Sequence, residues 1–290
     1  MSVLAFAIIV RILLNPFSNV IQKKLTLCGM HPFWLNFVSF FLLGTVCIVP
    51  ALSVDWDSFG KMFWLYCAVA GLFCVLGNGF LVRALQLGDL SVLGPINSYK
   101  SVVGMIVGIF ALGEIPNIWG MLGVVIIIFG SYFVLDTVNE KFSCKLLLRK
   151  EIRYRFLALV LTAIEAIFIK KIIVLSDPQV AFIVWCWFGA VLSLPLLPIL
   201  RVKPLDQLKQ SNGKKLLLSV MLAATIGLTQ WATNLVFDRM NVSYALALFQ
   251  LSSIVSVLLG WRIFCEKNIV RKLLGGIIMI AGATLIILMN

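Results

Sequence analysis

Long runs of apolar residues, separated by short polar segments, dominate the 290-residue chain. Runs of roughly 18 or more apolar residues are typical of helices that cross a lipid bilayer. The pattern predicts ten such helices, at about residues 3–21, 32–52, 62–82, 91–112, 117–135, 155–175, 178–200, 216–237, 242–260 and 269–289. The predicted fold class is therefore an all-α integral membrane protein with ten transmembrane helices, surrounded by membrane lipid.

Composition supports a membrane protein and excludes several other classes. Apolar residues make up 61% of the chain and charged residues 12%, whereas a soluble domain is about half apolar and a quarter charged. The seven cysteines form no CxxC pair, and the single histidine belongs to no HExxH motif. The sequence therefore predicts neither an enzyme nor a resident metal or cofactor.

The net charge of +12 lies mainly between the predicted helices, so we expect no nucleic-acid partner. Loops after the odd-numbered helices hold 18 Lys and Arg residues, and loops after the even-numbered helices hold 4. The segment 136–155 contributes most. Because positively charged loops tend to stay in the cytoplasm, this count predicts that both termini lie outside.

The two halves of the chain align when the sequence is shifted by 152 residues, without a gap from Leu76 to Leu135. The coincident positions include Ser91 and Ser243, Ser101 and Ser253, Gly108 and Gly260, Glu114 and Glu266, Gly123 and Gly275, and Gly130 and Gly282. Each half then has five helices, and an odd number inverts the second copy in the membrane. We expect repeats at 1–135 and 155–290, joined by a basic loop at 136–154.

The end of the first repeat resembles an EamA-type domain of the drug/metabolite transporter superfamily. The matching features are Ala84-Leu85, Gly88, Leu112-Gly113-Glu114, Gly123 and Gly130; in the second copy Phe264-Cys265-Glu266 replaces LGE. The resemblance implies a ten-helix carrier of small metabolites, often an exporter of amino acids or related compounds. It also implies cytoplasmic termini, opposite to the charge count.

Three ionisable residues lie near the centres of predicted spans: Arg11, Lys100 and Glu165. Such residues cost about 2.5–3.5 kcal/mol on insertion scales and usually face a cavity or a charged group. The predicted substrate-binding residues are Arg11, Asn15, Asn19, Asn97, Lys100, Glu165, Gln230, Asn234 and Gln250. Among them, Arg11 and Lys100 would bind a carboxylate or phosphate group of the substrate.

Glu165 is the proton-coupling candidate, because burial of a carboxyl group favours proton uptake. It is alternatively the structural counter-ion of Lys100 or Arg11. Arg11 could instead extend to the membrane interface, and the amides could serve only as hydrogen bonds between helices. Glu114 and Glu266 each precede a helix, so we expect both to cap the helix that follows.

These features predict a secondary transporter of the inner cell membrane that exports a small polar metabolite, such as an amino acid or a related zwitterion or anion. Alternating access would occur around a site at the membrane midplane. Protons are a candidate coupling ion, and the protein would be a monomer or a homodimer. The alternative is a flippase for a lipid-linked or amphiphilic substrate.

Overall fold

A computed structural model describes residues 3–100, 102–103, 117–135 and 149–289, and no β-strand occurs in these ranges. The main helices are α1 Val3–Leu27, α2 Pro32–Val46, α3 Lys61–Leu87, α4 Leu90–Ile96, α5 Ile118–Leu135, α6 Lys150–Leu175, α7 Pro178–Ser193, α8 Gly213–Arg239, α9 Val242–Phe249, α10 Ser252–Phe264 and α11 Ile269–Met289. Short helical segments at Ile48–Ala51, Trp56–Ser58, Leu196–Ile199 and Pro204–Lys209 lie in the connections.

Five of the described helical segments are long and apolar enough to cross a membrane: Val3–Leu27, Lys61–Leu87, Pro178–Ile199, Gly213–Arg239 and Ile269–Ile286. Shorter apolar helices cover Pro32–Val46, Ile118–Val134 and Ser252–Phe264. Large apolar side chains such as Val46 and Ile118 are exposed on the outside of the bundle. These surfaces fit a multi-pass membrane protein, while the total of ten spans stays a prediction.

Two helices that the sequence predicts as continuous are interrupted near their middle. The first ends at Ile96, turns at Asn97 and Ser98, and resumes at Tyr99; residues 101 and 104–112 of that predicted span lie outside the described ranges. The second is interrupted at Gln250 and Leu251, between α9 and α10. The side-chain amide of Asn97 donates to Gln250 Oε1 at 3.0 Å, so the two breaks meet. Apolar periodicity cannot reveal such breaks, because the residues on both sides remain apolar.

Helices α2 and α7 are shorter than predicted, because each stops before a proline. The sequence predicts ends near residues 52 and 200, whereas the helices end at Val46 and Ser193. Pro50 and Pro195 lie just beyond these ends, inside or next to short helical segments. Proline has no N–H to continue the helical hydrogen bonds.

The most extensive helix pairs join the first half of the chain to the second: α5 with α11, α3 with α6, α1 with α8, α4 with α10 and α2 with α7. The first helix of each half thus packs against the third helix of the other. At the α5–α11 crossing, a Cβ added at Gly123 would lie 2.7 Å from the carbonyl oxygen of Gly282. One added at Gly275 would lie 2.6 Å from that of Gly130. Early residues of α5 therefore meet late residues of α11, so these helices are antiparallel, and glycine permits their close approach.

Candidate functional site

A polar cavity of about 140 Å³ lies between the two halves of the bundle. Its wall is built by α1, α3, α6, α7, α8 and α9, and by the break that follows α4. A water molecule needs about 10–15 Å³ on this scale, so the cavity has room for roughly ten waters or a compact solute. Seven of the nine predicted binding residues lie in the wall: Arg11, Asn15, Asn19, Asn97, Lys100, Glu165 and Gln230.

The other two predicted residues, Asn234 and Gln250, lie behind the wall and are buried. Asn234 accepts a hydrogen bond from Gln230 Nε2 at 2.9 Å and donates to the carbonyl oxygen of Pro178 at 3.2 Å. Gln250 accepts from Asn97 at the helix break. In this structure the two amides support wall residues from behind, and their predicted contact with the substrate stays a prediction. The helical spacing predicted which helix face carries these two amides, but it could not predict how deeply their side chains are buried.

The polar stripe on α1 faces the cavity as its spacing predicts. The five residues of the stripe all line it: Arg11, Asn15, Ser18, Asn19 and Gln22. Pro16 lies within the same stretch and removes one backbone N–H from the helical ladder. The stripe is therefore presented by a helix whose backbone hydrogen bonding is locally incomplete.

Arg11 extends into the bundle, as the site hypothesis predicts. Its Nε donates to Thr233 Oγ1 at 2.8 Å, and its guanidinium carbon lies 4.8 Å from the ring centre of Phe249. The Nη1 atom is buried without a hydrogen-bond acceptor among the described residues. A buried guanidinium N–H that lacks an acceptor is costly, so an acceptor on a bound solute would stabilise it.

Glu165 is held by an indole, without a close cation among the described residues. Trp185 Nε1 donates to Glu165 Oε1 at 2.9 Å. The indole is fixed by Phe40, whose ring centroid lies 4.7 Å away, and by stacking on Phe182. No Lys or Arg nitrogen described in the structure lies within 4.0 Å of this carboxylate. The predicted alternative of a direct ion pair with Lys100 or Arg11 is therefore not seen in this conformation.

Arg155 is a wall residue that the sequence analysis missed. Its charge was assigned to the loop because the apolar pattern predicts a helix start at residue 155, whereas α6 begins at Lys150. Arg155 Nε donates to the carbonyl oxygen of Leu93 at 2.9 Å, and Nη2 donates to Asn97 Oδ1 at 2.9 Å. The signal was present in the spacing: Arg155, Thr162 and Glu165 lie seven and three residues apart, on one helix face.

A second buried cluster of charged residues surrounds Glu266 at the start of α4. Glu266 accepts hydrogen bonds from the backbone N–H groups of Leu90 and Ser91, both at 2.8 Å, and from the Ser91 hydroxyl. Lys23 Nζ lies 3.0 Å from Glu266 Oε1 and also donates to the carbonyl oxygen of Gly88. Lys272 donates to Ser91 Oγ at 2.8 Å.

Burial would raise the pKa of Glu266, but the Ser91 hydrogen bonds and the charge of Lys23 outweigh it and lower that pKa. Glu266 therefore caps α4 of the opposite half, which corrects the expectation that it caps the helix that follows it in sequence. Glu114, its match in the first repeat, lies outside the described residues. Lys23 and Lys272, which the sequence analysis counted as loop cations, are buried.

The residues that the structure describes contain no cluster of three or more His, Cys, Asp or Glu side chains suited to a metal ion. A solved structure described only as "Crystal structure of protein" has a similar fold, with a TM-score of 0.64 and 16% sequence identity. The similarity covers 97% of this chain and 99% of that chain, and at this identity it concerns the fold alone. A comparison with curated proteins found no match.

The model of the EamA-like transporter family matches residues 5–136 and 150–288, one match for each half of the chain. The two matches cover most of the chain and agree with the two repeats predicted from the sequence. Members of this family are transporters of the drug/metabolite transporter superfamily and not enzymes. The protein therefore belongs to the EamA-like transporter family.

Proposed function

We propose that this protein is a secondary transporter of the inner cell membrane that exports a small polar metabolite, such as an amino acid or a related zwitterion or anion. One observation carries the proposal: Arg11, Lys100 and Glu165, which come from three different helices, line one cavity between the two halves. Ionisable groups inside a membrane bundle usually mark a substrate or ion pathway. The size of the cavity suits a compact solute.

The transport cycle would be alternating access between two inverted five-helix halves, residues 1–135 and 155–290, joined by 136–154. The helix pairs between the halves and the antiparallel crossing of α5 with α11 support this arrangement. In inverted-repeat carriers, the substrate lies where the copies meet, and one copy rocks against the other. The two helix breaks, one at Asn97 in the first half and one at Gln250 in the second half, meet through a hydrogen bond between the halves.

Glu165 would carry the coupling proton. Among the described wall residues it is the one carboxylate, and a Trp185 N–H orients it. The absence of a described cation within 4.0 Å leaves its charge dependent on the solute and on protonation. Protonation and substrate release would then be linked at the same site.

A flux assay in liposomes tests this function. Purified protein would be reconstituted and offered radiolabelled amino acids, small anions and amines, with and without a pH gradient. We expect flux of at least one polar solute, loss of that flux in Lys100→Ala, and loss of its pH dependence in Glu165→Gln. Wild-type flux in both folded variants would remove the proposed site, and movement of lipid-linked solutes alone would favour a flippase.

Lys61→Ala serves as the control, because Lys61 is exposed and its substitution removes a positive charge away from the cavity. Melting curves of each variant in detergent establish that it is folded. Cysteine labelling from each side of the membrane in residues 136–155 determines the orientation of the protein in the membrane.

A further inference from the structure

The cavity wall carries more positive than negative charge. Its described cations are Arg11, Lys100 and Arg155, and its one described carboxylate is Glu165. Arginine side chains stay protonated in proteins, so Arg11 and Arg155 remain charged whatever the state of the lysine. The part of the wall that the structure describes therefore has a net charge of at least +1, and of +2 when Lys100 is protonated.

No described residue neutralises this excess. The ion pairs among the described residues are Lys23–Glu266, Arg149–Glu151 and Lys272–Asp89, and none involves a wall residue. Buried charge without a counter-ion is costly, because the protein interior solvates it poorly. An anion of about the size of the cavity would neutralise the excess positive charge of the described wall.

The free polar atoms of the wall include donors that such an anion would satisfy. Arg11 Nη1 is buried and has no described acceptor. Lys100 Nζ donates no hydrogen bond to a described residue. Arg155, by contrast, uses Nε and Nη2 on Leu93 and Asn97. Arg11 and Lys100 thus keep donor N–H groups without a described acceptor, whereas Arg155 commits two nitrogens to Leu93 and Asn97 and adds its charge to the wall.

We infer that the transported solute is a net anion, with at least one more acidic than basic group, and not a neutral zwitterion. This inference rests on the proposed transport function and narrows it. A carboxylate or phosphate group binds between Arg11 and Lys100, and the charge of Arg155 sets the preference for the anion. A zwitterion fits less well, because its ammonium group would meet three cations and a single carboxylate.

The test uses pairs of solutes that differ in charge but little in shape. Proteoliposomes would be offered succinate, succinamate and succinamide, glutamate and glutamine, aspartate and asparagine, and glycerol 3-phosphate and glycerol. We expect the more anionic member of each transported set to move about tenfold faster or more, from one extra charge interaction at an intermediate dielectric constant. Equal or faster movement of the neutral members overturns the inference and leaves the transport function standing.

The same solutes are also tested for binding, by the shift in the melting temperature of the detergent-solubilised protein. Stabilisation by the anions without flux supports the anion preference of the cavity and counts against the transport function. Neither flux nor stabilisation by any of them overturns both. Stabilisation by the neutral members alone also overturns the inference.

Arg155 is tested by its effect on selectivity. In Arg155→Gln, the ratio of anion flux to neutral-solute flux should fall about tenfold, while Arg155→Lys should retain most of it. Arg153→Gln removes the same charge from an exposed position two residues away and should leave the ratio unchanged. An unchanged ratio in folded Arg155→Gln would overturn the role of Arg155, as would an equal fall in Arg153→Gln.

Discussion

The Glu266 cluster and the cavity wall each combine one buried carboxylate with several cations, but they differ in how those charges contact one another. Glu266 accepts hydrogen bonds from backbone N–H groups and from Ser91, and forms an ion pair with Lys23. Glu165 accepts one indole N–H, while the cations that share its cavity are not in ion-pair contact with it. Near Glu266 the buried charges form an ion pair and hydrogen bonds with one another. In the cavity, the described charged side chains form no ion pair within 4.0 Å.

The buried charges near Glu266 therefore stabilise the fold, whereas those of the cavity wall are suited to binding a solute. A satisfied network near Glu266 joins the start of α4 to α1 and to the segment that precedes α11, so it holds the two halves together. An unsatisfied wall costs stability in the empty protein and recovers it when a solute supplies the missing contacts. Removal of a charge should therefore lower the free energy of unfolding near Glu266, and removal of a cation should raise it in the cavity wall.

The largest expected effect is that of Glu266→Ala, which leaves Lys23 buried without its counter-ion and the first N–H groups of α4 without an acceptor. Breaking a buried ion pair costs about 3–5 kcal/mol, so the free energy of unfolding should fall by that amount. Denaturation of the purified protein in detergent measures it. The matched change Glu165→Gln keeps an acceptor for Trp185 and should cost much less; equal losses would contradict the comparison.

The two buried lysines should respond with opposite signs. Lys23→Met removes charge-assisted hydrogen bonds and should lower the free energy of unfolding by about 1.5–3 kcal/mol. Lys100→Met replaces a cation that has no described ion-pair partner with an apolar side chain and should raise it by about 1 kcal/mol. Thermal and chemical unfolding of both variants checks this, and a loss of stability in Lys100→Met would show that Lys100 is structural.

The smallest expected effect is the pH dependence of the Glu266 network. A lowered pKa means that the charged form of Glu266 stabilises the fold above the ordinary value of 4.5, and that this contribution is lost as pH falls through the lowered pKa. The stability difference between the wild type and Glu266→Gln should therefore shrink below about pH 4. A difference that grows on acidification would contradict the assignment.

The sequence alone allowed much of the site to be predicted. The three ionisable residues at span centres and the amides of the α1 stripe account for five of the seven predicted residues in the wall, because an amphipathic helix in a membrane bundle points its polar face inward. Asn97 and Gln230, from other predicted helices, account for the remaining two.

The reversal of the two halves, predicted from an odd helix count, stays a prediction that the antiparallel crossing of α5 and α11 supports. Four of the glycines matched by the repeat lie at the α5–α11 crossing, where Gly123 packs against Gly282 and Gly130 against Gly275.

Other parts of the site could not be predicted, for physical reasons that differ between residues. Arg155 looked like a loop cation because charge is normally excluded from a span, and its contacts with Leu93 and Asn97 come from distant parts of the chain. The α4 residues that donate to Glu266 lie 175 or 176 residues away in sequence, and Lys23 lies 243 residues away, so a local helix cap was the nearest available interpretation.

The sequence by itself determined that this chain is helical, enters a membrane and repeats itself, because these properties depend on the hydrophobicity and periodicity of neighbouring residues. The tertiary structure alone decided which buried charges meet counter-ions and which face an open cavity. That outcome depends on distances of a few ångströms between residues far apart in sequence, since the energy of a buried charge is set by the groups that contact it.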